Sequence, residues 1–563
     1  MTSPARLIAA IDFGTHGTGF AWAFMSEQER EPMQRRINLF DDWVGQPANY
    51  PKNLSALLLD DSGEVIEWGY QAQKVYQVES KENPRLEYFE RFKMGLLPVH
   101  GGRRIVGTPS VLGRSPDKLT TAYLSKFYQF ALDRIIDGSG VAEDEINWCL
   151  TVPAIWQDRE RQVMRDCAVA AGLPGGDRLL IAVEPEVAGL YCRFDSGHAS
   201  LGASGERFMV VDAGGGTVDI TAYETSERGL TEIGYTSGGS LGSTYIDQHL
   251  VDAILPERLG RDFMRRATTL EPSALIALLD EWERAKRSFD PARPQPIVLQ
   301  MSYRLFRLLK DEDRERLADF QHGVDDAIVL TAAEVTKLFD KVIGPVLKLV
   351  DEQLRLIGLR SVDRVLLVGG FAQSRYLQVK LKAHLSRRAS LVVPAKPSWA
   401  VLLGAVHYGL EPGLIHGRRS RFSYGVKWAP QFEELLDPPE YKLISHSGVH
   451  LCDNRFDRFV ERDEVIAPGH TVERMYYPIY ANQQEMTLAL YTSTEVNPRY
   501  VTESNCELVG TMTLDMRATA NLPPPERRVE VTMIFGGTEI DARARDLKSG
   551  AEVSTSIRFL QRV

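Results

Sequence analysis

The hydrophobic pattern of the chain contains one device twice: a buried strand that is followed by a glycine-rich turn and a second strand. Residues 6–13 are almost continuously apolar and predict a buried strand, and residues 20–24 predict the strand that returns beside it. Residues 207–211 and 218–223 repeat this arrangement. The repetition predicts an internal duplication, with two related lobes that face each other.

The two turns carry the same chemistry. Asp12 is followed by Gly14-Thr15-His16-Gly17-Thr18-Gly19, and Asp212 is followed by Ala213-Gly214-Gly215-Gly216-Thr217. A tight glycine turn lets backbone N–H groups approach an anion without interference from Cβ atoms. Two facing turns could hold a chain of phosphates, and the aspartates are explained if Mg²⁺ lies between them and the phosphates. The turns therefore predict a nucleotide-binding cleft.

Two better-known phosphate-binding motifs do not fit the sequence. The chain has no Gly-x-x-x-x-Gly-Lys-Ser/Thr segment, so it is not a P-loop protein. The first turn is also not a dinucleotide-binding fingerprint, because the pattern after it predicts a strand where that fingerprint needs a helix.

A third turn has a different form. Residues 364–368 predict a buried strand, Gly369-Gly370 breaks it, and residues 374–385 predict a helix. This turn could lie against a base and ribose. The longest helical patterns are residues 119–136 and 334–356, and the alternation of strands and helices predicts an α/β fold up to about residue 410.

The pattern changes near residue 411. We expect a nucleotide-binding domain over residues 1–412, a solvated basic linker over 413–421 and a separate all-β domain over 422–563. The β-domain contains short alternating runs at 486–491, 529–534 and 554–559, separated by Pro, Gly and Asn. This spacing is typical of a sandwich, and no helical lid is expected after it.

Composition narrows the classes of protein. The chain has 563 residues, of which 44% are hydrophobic and 25% charged, with a net charge of −10. These values are ordinary for a soluble protein and give no support to nucleic-acid binding. No apolar run is long enough to span a membrane. The five cysteines form no Cys-x-x-Cys pair, so we expect reduced thiols, no zinc site and a cytoplasmic location.

The motifs resemble those of a known superfamily. Residues 11–15, 211–219 and 367–371 are similar to the phosphate-1, phosphate-2 and adenosine motifs of the actin-like ATPases. Residues 151–156, 182–186 and 283–287 resemble the 70-kDa heat-shock chaperone family, and the combination of residues 148–156, 184–186 and 370–374 is most similar to its atypical 12A/12B-type branch. The resemblance covers nearly the whole chain, and it implies a two-lobed actin-like, ribonuclease-H-like ATPase domain followed by a β-sandwich that resembles a substrate-binding domain.

The resemblance implies roles for particular residues. Asp12 and Asp212 would hold hydrated Mg²⁺, through water, and Asp212 is also the candidate to orient the attacking water. Glu184, Thr217 and Lys93 would complete the catalytic set, with Lys93 stabilising charge on the transferred phosphoryl group. The residues implied to contact ATP or ADP are Gly14, Thr15, His16, Gly214, Gly215, Gly216, Thr217, Gly242, Glu283, Lys286, Arg287, Gly369, Gly370 and Phe371.

Four features depart from the family pattern. His16 stands where a second threonine is usual, Glu186 replaces a threonine, and Ser398 replaces an aspartate near the adenosine pocket. The segment 415–421 lacks the leucine-rich, aspartate-ended stretch that couples the two domains in the family.

Two functions remain open on these grounds. The first is an ATP-driven, slowly hydrolysing chaperone-like protein that binds polypeptide clients through the β-domain, with possible co-chaperones. The second is a nucleotide-dependent scaffold or adaptor with little ATPase activity, which the departures favour. A small-molecule kinase would need a sugar pocket and a general base for which no motif is found, and the β-domain is an awkward addition to a filament-forming protein.

Overall fold

The computed structural model describes residues 4–46, 50–96, 114–194, 204–358, 362–535 and 540–556. These residues fall into two compact units. Unit 1 comprises Met1–Trp156, Val163–Ser226 and Thr236–Pro412, and unit 2 comprises Gln157–Gln162, Glu227–Tyr235 and Gly413–Val563, within the described ranges. Two short segments from the first 412 residues thus belong to unit 2, which our contiguous division of the sequence did not anticipate.

The α-helices of the described residues all precede residue 411. They are α1 (Gly69–Glu79), α2 (Pro116–Ser139), α3 (Asp158–Ala170), α4 (Glu184–Phe194), α5 (Thr244–His249), α6 (Leu255–Leu259), α7 (Arg261–Leu270), α8 (Pro272–Ser288), α9 (Tyr303–Phe306), α10 (Asp311–Phe320), α11 (Ala332–Ile357), α12 (Arg375–Leu385) and α13 (Ala400–Leu410). Helix α11 begins with a capping box, in which the Thr331 hydroxyl accepts from the Glu334 N–H and the Glu334 carboxylate accepts from the Thr331 N–H. The predictions for α2, α11 and α12 are confirmed.

The strands occupy both units. They are β1 (Leu7–Phe13), β2 (Gly17–Phe24), β3 (Asn38–Leu39), β4 (Asn53–Leu54), β5 (Ala56–Leu59), β6 (Val65–Trp68), β7 (Glu87–Glu90), β8 (Ile146–Val152), β9 (Leu179–Val183), β10 (Arg207–Ala213), β11 (Val218–Ser226), β12 (Gly229–Glu232), β13 (Ser237–Gly239), β14 (Ile297–Gln300), β15 (Ala327–Leu330), β16 (Arg364–Val368), β17 (Ser390–Val392), β18 (Ile415–Arg419), β19 (Ser423–Trp428), β20 (Lys442–Ile444), β21 (His450–Cys452), β22 (Arg455–Val460), β23 (Val465–Ile466), β24 (His470–Tyr476), β25 (Glu485–Ser493), β26 (Cys506–Asp515), β27 (Val529–Phe535), β28 (Asp541–Asp546) and β29 (Glu552–Ser556).

The internal duplication of unit 1 is confirmed by strand order and direction. One sheet has the order β2-β1-β8-β9, with β1 antiparallel to β2 and parallel to β8. The other has the order β11-β10-β16-β17, with β10 antiparallel to β11 and parallel to β16. Asp12 pairs with Gly19 in the first hairpin, and Asp212 pairs with Asp219 in the second. All seven residues of β1 are buried, as the continuous apolar run predicts.

Unit 2 is built mainly from two four-stranded antiparallel sheets, in the orders β22-β19-β25-β26 and β24-β27-β28-β29. Alternate residues of these strands form one shared apolar core, which includes Val426, Leu490, Val531 and Ala544. This is the sandwich that the alternation predicts. The described residues after Leu410 contain no α-helix. Of the strand predicted at residues 554–559, the last part lies outside the described residues.

The expectation of a solvated linker is wrong for residues 415–419. This segment forms strand β18, which pairs with β12 and β23, and Ile415 is fully buried. The Arg419 N–H donates to the Glu232 carboxylate at 2.9 Å. The basic residues made this segment resemble a solvated linker. A charged side chain can extend from a strand toward solvent while the backbone of that strand stays hydrogen-bonded in the sheet.

Helix α13 depends on a close approach to helix α4. A Cβ atom on Gly404 would lie 1.8 Å from the Val187 carbonyl oxygen. We expect Gly404→Ala to lower the free energy of unfolding by about 1–3 kcal/mol through overpacking. Gly138 is a matched control, because a Cβ on this exposed helical glycine meets its first neighbour at 3.8 Å. Gly138→Ala should leave stability unchanged or raise it by up to about 1 kcal/mol. Urea unfolding followed by circular dichroism measures both, and equal effects would contradict the packing argument.

Candidate functional site

The two glycine turns of unit 1 line one cleft of about 1070 Å³, measured with its open mouth. The same hydrogen bond closes both turns: the Gly14 N–H donates to the Gly17 carbonyl, and the Gly214 N–H to the Thr217 carbonyl. A Cβ on Gly216 would lie 2.5 Å from the Thr15 Oγ1 atom, so the turns face each other at close range. This is the arrangement that can surround an anion with N–H groups from two sides.

The structure brings almost all of the predicted residues together. The cleft is lined by Asp12, Gly14, Thr15, His16, Lys93, Glu184, Asp212, Gly214, Gly215, Gly216, Thr217, Glu283, Lys286, Arg287, Gly369, Gly370 and Phe371. Gly242 does not line it. A Cβ on Gly242 would lie 2.2 Å from the Gly215 carbonyl oxygen, so this glycine supports the second turn from behind. Its direct contact with a nucleotide stays a prediction.

The third turn completes the cleft. Gly369 has a φ of +89°, and a Cβ there would lie 2.4 Å from both the Ala213 carbonyl oxygen and the Asp212 Oδ1 atom. Glycine is required both by this left-handed backbone and by the approach to β10. Ser398, which departs from the family pattern, also lines the cleft and accepts a hydrogen bond from Gln373 at 3.1 Å. Glu186 is buried but is not among the described residues that line the cleft.

Four buried carboxylates interact with one another: Asp12, Glu184, Asp212 and Asp219, of which the first three line the cleft. Burial and the charges of Glu184, Asp219 and Asp12 hold the pKa of Asp212 well above its usual range. Burial and the charge of Glu184 raise the pKa of Asp219 to about 7. The Asp219 carboxylate also accepts from the Ile155 N–H at 2.8 Å. The crowding of buried carboxylates therefore disfavours full ionisation of the cluster unless a further cation is present.

Two lysines face these carboxylates. The Lys93 ammonium donates to the Glu184 Oε1 atom at 2.8 Å and to the Phe13 carbonyl at 2.6 Å. The Lys52 ammonium lies 2.5 Å from the Asp12 Oδ2 atom. Burial raises the pKa of Glu184, although Lys93 opposes the shift. Since two ammonium groups meet four carboxylates, a divalent cation that arrives with a nucleotide fits the chemistry of this cluster.

The described residues contain no group of three or more His, Cys, Asp or Glu side chains arranged around one metal position. Mg²⁺ commonly takes one or two carboxylates from the protein and its other ligands from phosphates and water. Asp12 and Asp212 could supply these one or two carboxylate ligands.

The opposite wall of the cleft is formed by helix α8, whose cations are already paired. The Lys286 ammonium donates to the Asp247 Oδ1 atom at 2.6 Å and lies 2.5 Å from the Glu283 Oε2 atom. Arg287 donates to the Glu283 Oε1 atom at 2.8 Å. Although burial opposes it, the charges of Lys286, His16 and Arg287 hold the pKa of Glu283 below its usual range. This side of the cleft, which Gly369 also lines, therefore contains a network of ion pairs among Lys286, Arg287 and their carboxylate partners.

Sequence reasoning missed two charged residues of the site. Lys52 reaches the cleft because strand β4 pairs with β2, with Gly17 opposite Leu54. Asp247 holds Lys286 and also accepts from the Trp282 indole N–H at 2.8 Å. No local pattern marks either residue, since each reaches its partner through a contact that is distant along the chain.

These features define a class of protein. Paired sheets with facing phosphate-type turns and a third glycine turn are the architecture of the actin-like ATPase domain. A sequence model of the Hsp70 protein family matches residues 115–410, more than half of the chain, and the chain therefore belongs to the Hsp70 family.

Curated relatives extend the comparison. The chain is 29% identical to human heat shock 70 kDa protein 12A and 28% identical to human heat shock 70 kDa protein 12B, each over 98% of this chain and 91% of the relative. It is 26% identical to a heat shock cognate HSP70 protein of Trypanosoma brucei brucei, over 71% of this chain and 53% of that protein. Among the described residues, no helix is long and apolar enough to cross a membrane.

His16 makes the first turn sensitive to pH. Burial, opposed by Glu283 but reinforced by Arg287, Arg91 and Lys286, lowers its pKa from 6.5 to about 4, so the imidazole is neutral at pH 7. Between pH 6.5 and 4 the unfolded chain binds a proton that the folded chain does not, so stability falls as pH falls. We expect the stability of the wild type relative to His16→Gln to decline across this window by at most about 1.4 kcal/mol per pH unit. Urea unfolding at several pH values measures the difference, and a constant difference would contradict the shift.

Proposed function

We propose that this chain is an ATP-binding, slowly hydrolysing, chaperone-like protein, in which the nucleotide state changes how unit 2 holds a polypeptide. The observation that carries the nucleotide part is the pair of glycine turns facing each other across one cleft, with buried Asp12, Asp212 and Lys93 behind them. A polyphosphate accepts hydrogen bonds from such turns.

The proposed roles follow from the positions of the side chains. ATP would lie between the turns with its base near Gly369 and Gly370. Mg²⁺, bound with ATP near Asp12 and Asp212, would supply positive charge to the phosphate oxygens. The Thr217 hydroxyl would donate to the terminal phosphate, and Asp212 would orient the attacking water.

We infer that Lys93 stabilises the negative charge that develops on the phosphoryl group during its transfer. Its ammonium is buried between Glu184 and the Phe13 carbonyl, where water competes little. A positioned cation in such an environment stabilises the transferred phosphoryl group strongly. Glu184 would hold the ammonium in this place until a nucleotide binds.

The surface of unit 2 supports polypeptide binding. The His446 N–H donates to the Ile479 carbonyl at 3.3 Å, which joins the turn after β20 to the segment after β24. Ile444 is 60% exposed beside this contact, and Tyr477 and Tyr480 are half exposed. Exposed apolar groups in neighbouring segments are a feature of surfaces that bind other proteins. We propose polypeptide segments, and possible co-chaperones, as the partners.

We also propose a cytoplasmic location. None of the five cysteines forms a disulfide, and four of them are buried. Cysteines that form no disulfide are typical of proteins in a reducing compartment.

A second candidate is a nucleotide-dependent scaffold with little ATPase activity. His16 favours it, because a neutral imidazole stands in the first turn where the family pattern has a hydroxyl. In this case unit 2 would bind particular partner proteins and would ignore generic hydrophobic peptides.

Lys93→Gln tests the chemical step. We expect single-turnover ATP hydrolysis to slow by about 10²–10³-fold while ATP still binds, because the lost charge acts mainly in the transition state. Lys126→Gln, at an exposed position of helix α2, is the matched control and should hydrolyse ATP at the wild-type rate. Equal rates for Lys93→Gln and the wild type would contradict the catalytic role.

A peptide separates the two candidate functions. Single-turnover hydrolysis with Mg²⁺ is measured with and without an extended hydrophobic peptide, with Asp212→Ala as the inactive control. A slow rate that depends on Asp212 and rises with the peptide supports the chaperone-like function. Tight ATP binding with no peptide effect, or with no turnover, supports the scaffold.

A further inference from the structure

Lys52 is a charged residue that lines the cleft and that lies outside the motifs quoted for the family. Its side chain is 17% exposed and that of Asp12 is 3% exposed, with 2.5 Å between the ammonium and the Asp12 Oδ2 atom. The second oxygen of Asp12 accepts from the Thr151 hydroxyl at 3.2 Å. Asp12 therefore has a resident cation at the position where the resemblance expects Mg²⁺.

The backbone holds Lys52 in this place. Strand β4 pairs with β2, so the chain from Pro51 to Asn53 runs along the first turn. A Cβ on Gly19 would lie 2.3 Å from the Pro51 carbonyl oxygen and 3.2 Å from the Lys52 Cγ atom. A Cβ on Gly17 would lie 3.0 Å from the Asn53 carbonyl oxygen and 3.2 Å from the Lys52 Cβ atom. Because these two glycines have no side chains, there is space beside them for the aliphatic part of the Lys52 side chain.

The position of Lys52 beside Asp12 changes the electrostatic environment of a polyphosphate that binds in the cleft. A buried aspartate repels phosphate oxygens strongly when no cation compensates its charge. Lys52 supplies that compensation from within the chain and at short range. An ammonium beside Asp12 also competes with a metal ion for the same carboxylate.

We propose that Lys52 is a permanent counter-ion of Asp12, through which the cleft binds the triphosphate of ATP with little dependence on a divalent cation. The inference rests on the proposed nucleotide-binding function. It concerns binding, and it leaves the chemical step to the residues described above.

The test is the affinity for ATP in excess MgCl₂ and in excess EDTA, measured by isothermal titration calorimetry. For the wild type we expect the dissociation constant to rise less than about tenfold in EDTA. For Lys52→Gln we expect a rise of about a hundredfold or more, because Asp12 is then left uncompensated. Lys126→Gln, outside the cleft, is the matched control and should behave as the wild type.

A double variant distinguishes compensation from a general loss of structure. Asp12→Asn combined with Lys52→Gln removes both charges, so binding in EDTA should recover toward the wild-type value. Lys52→Arg keeps the charge and should keep binding without metal. Thermal melting of each variant identifies any that are unfolded.

Each outcome decides the question. The proposal is overturned if the wild type loses ATP in EDTA to the same extent as Lys52→Gln while both bind it in MgCl₂. If Lys52→Gln does not fold, the wild type alone decides the question: a rise in its dissociation constant of about a hundredfold or more from MgCl₂ to EDTA overturns the proposal. If the wild type binds no ATP in MgCl₂ either, the proposed function itself fails, and this inference fails with it.

Discussion

The cleft is organised by one electrostatic constraint, the burial of Asp12 and Asp212 at the ends of two facing strands. Carboxylates in such positions are costly unless cations or hydrogen bonds compensate them. The compensation is unequal: Asp12 has Lys52 and a threonine hydroxyl, whereas burial and neighbouring carboxylates raise the pKa of Asp212. Glycines at the turns then let the two ends approach. The duplicated sheets set the distance between the aspartates, and the other charged groups of the cleft are arranged around them.

Much of this fold could be predicted from local pattern. The apolar runs of β1 and β10 are continuous because both faces of each strand are buried, and such runs are visible without a structure. The turns after them are marked by glycine and aspartate in a fixed order. The longest helices, α2 and α11, have clear boundaries and periodicity. In these elements local preference and tertiary packing agree, so the sequence alone indicates them.

Other features depend on contacts that are remote along the chain. Lys52 enters the site only through the pairing of β4 with β2, and Asp247 only through the packing of α5 against α8. Gly19 resembled a phosphate-turn glycine, yet its missing Cβ makes room for the Pro51 carbonyl. Strand β18 was hidden because its arginines resemble a solvated segment. In each case the residue type is explained by a neighbour that no local pattern identifies.

The cations that line this cleft each have a carboxylate partner before a nucleotide enters. Lys52 is held by Asp12, Lys93 by Glu184, and Lys286 and Arg287 share Glu283. An entering polyphosphate would therefore gain less from these cations than it would from free ones, because a carboxylate already holds each of them. Among the described hydrogen bonds the turn N–H groups have no carboxylate partner, so under the proposed function they would be the main source of affinity. The proposed hydrolysis would then depend on how readily the pair between Lys93 and Glu184 opens to bring the ammonium to the phosphoryl group, and the cost of opening this pair would favour slow turnover.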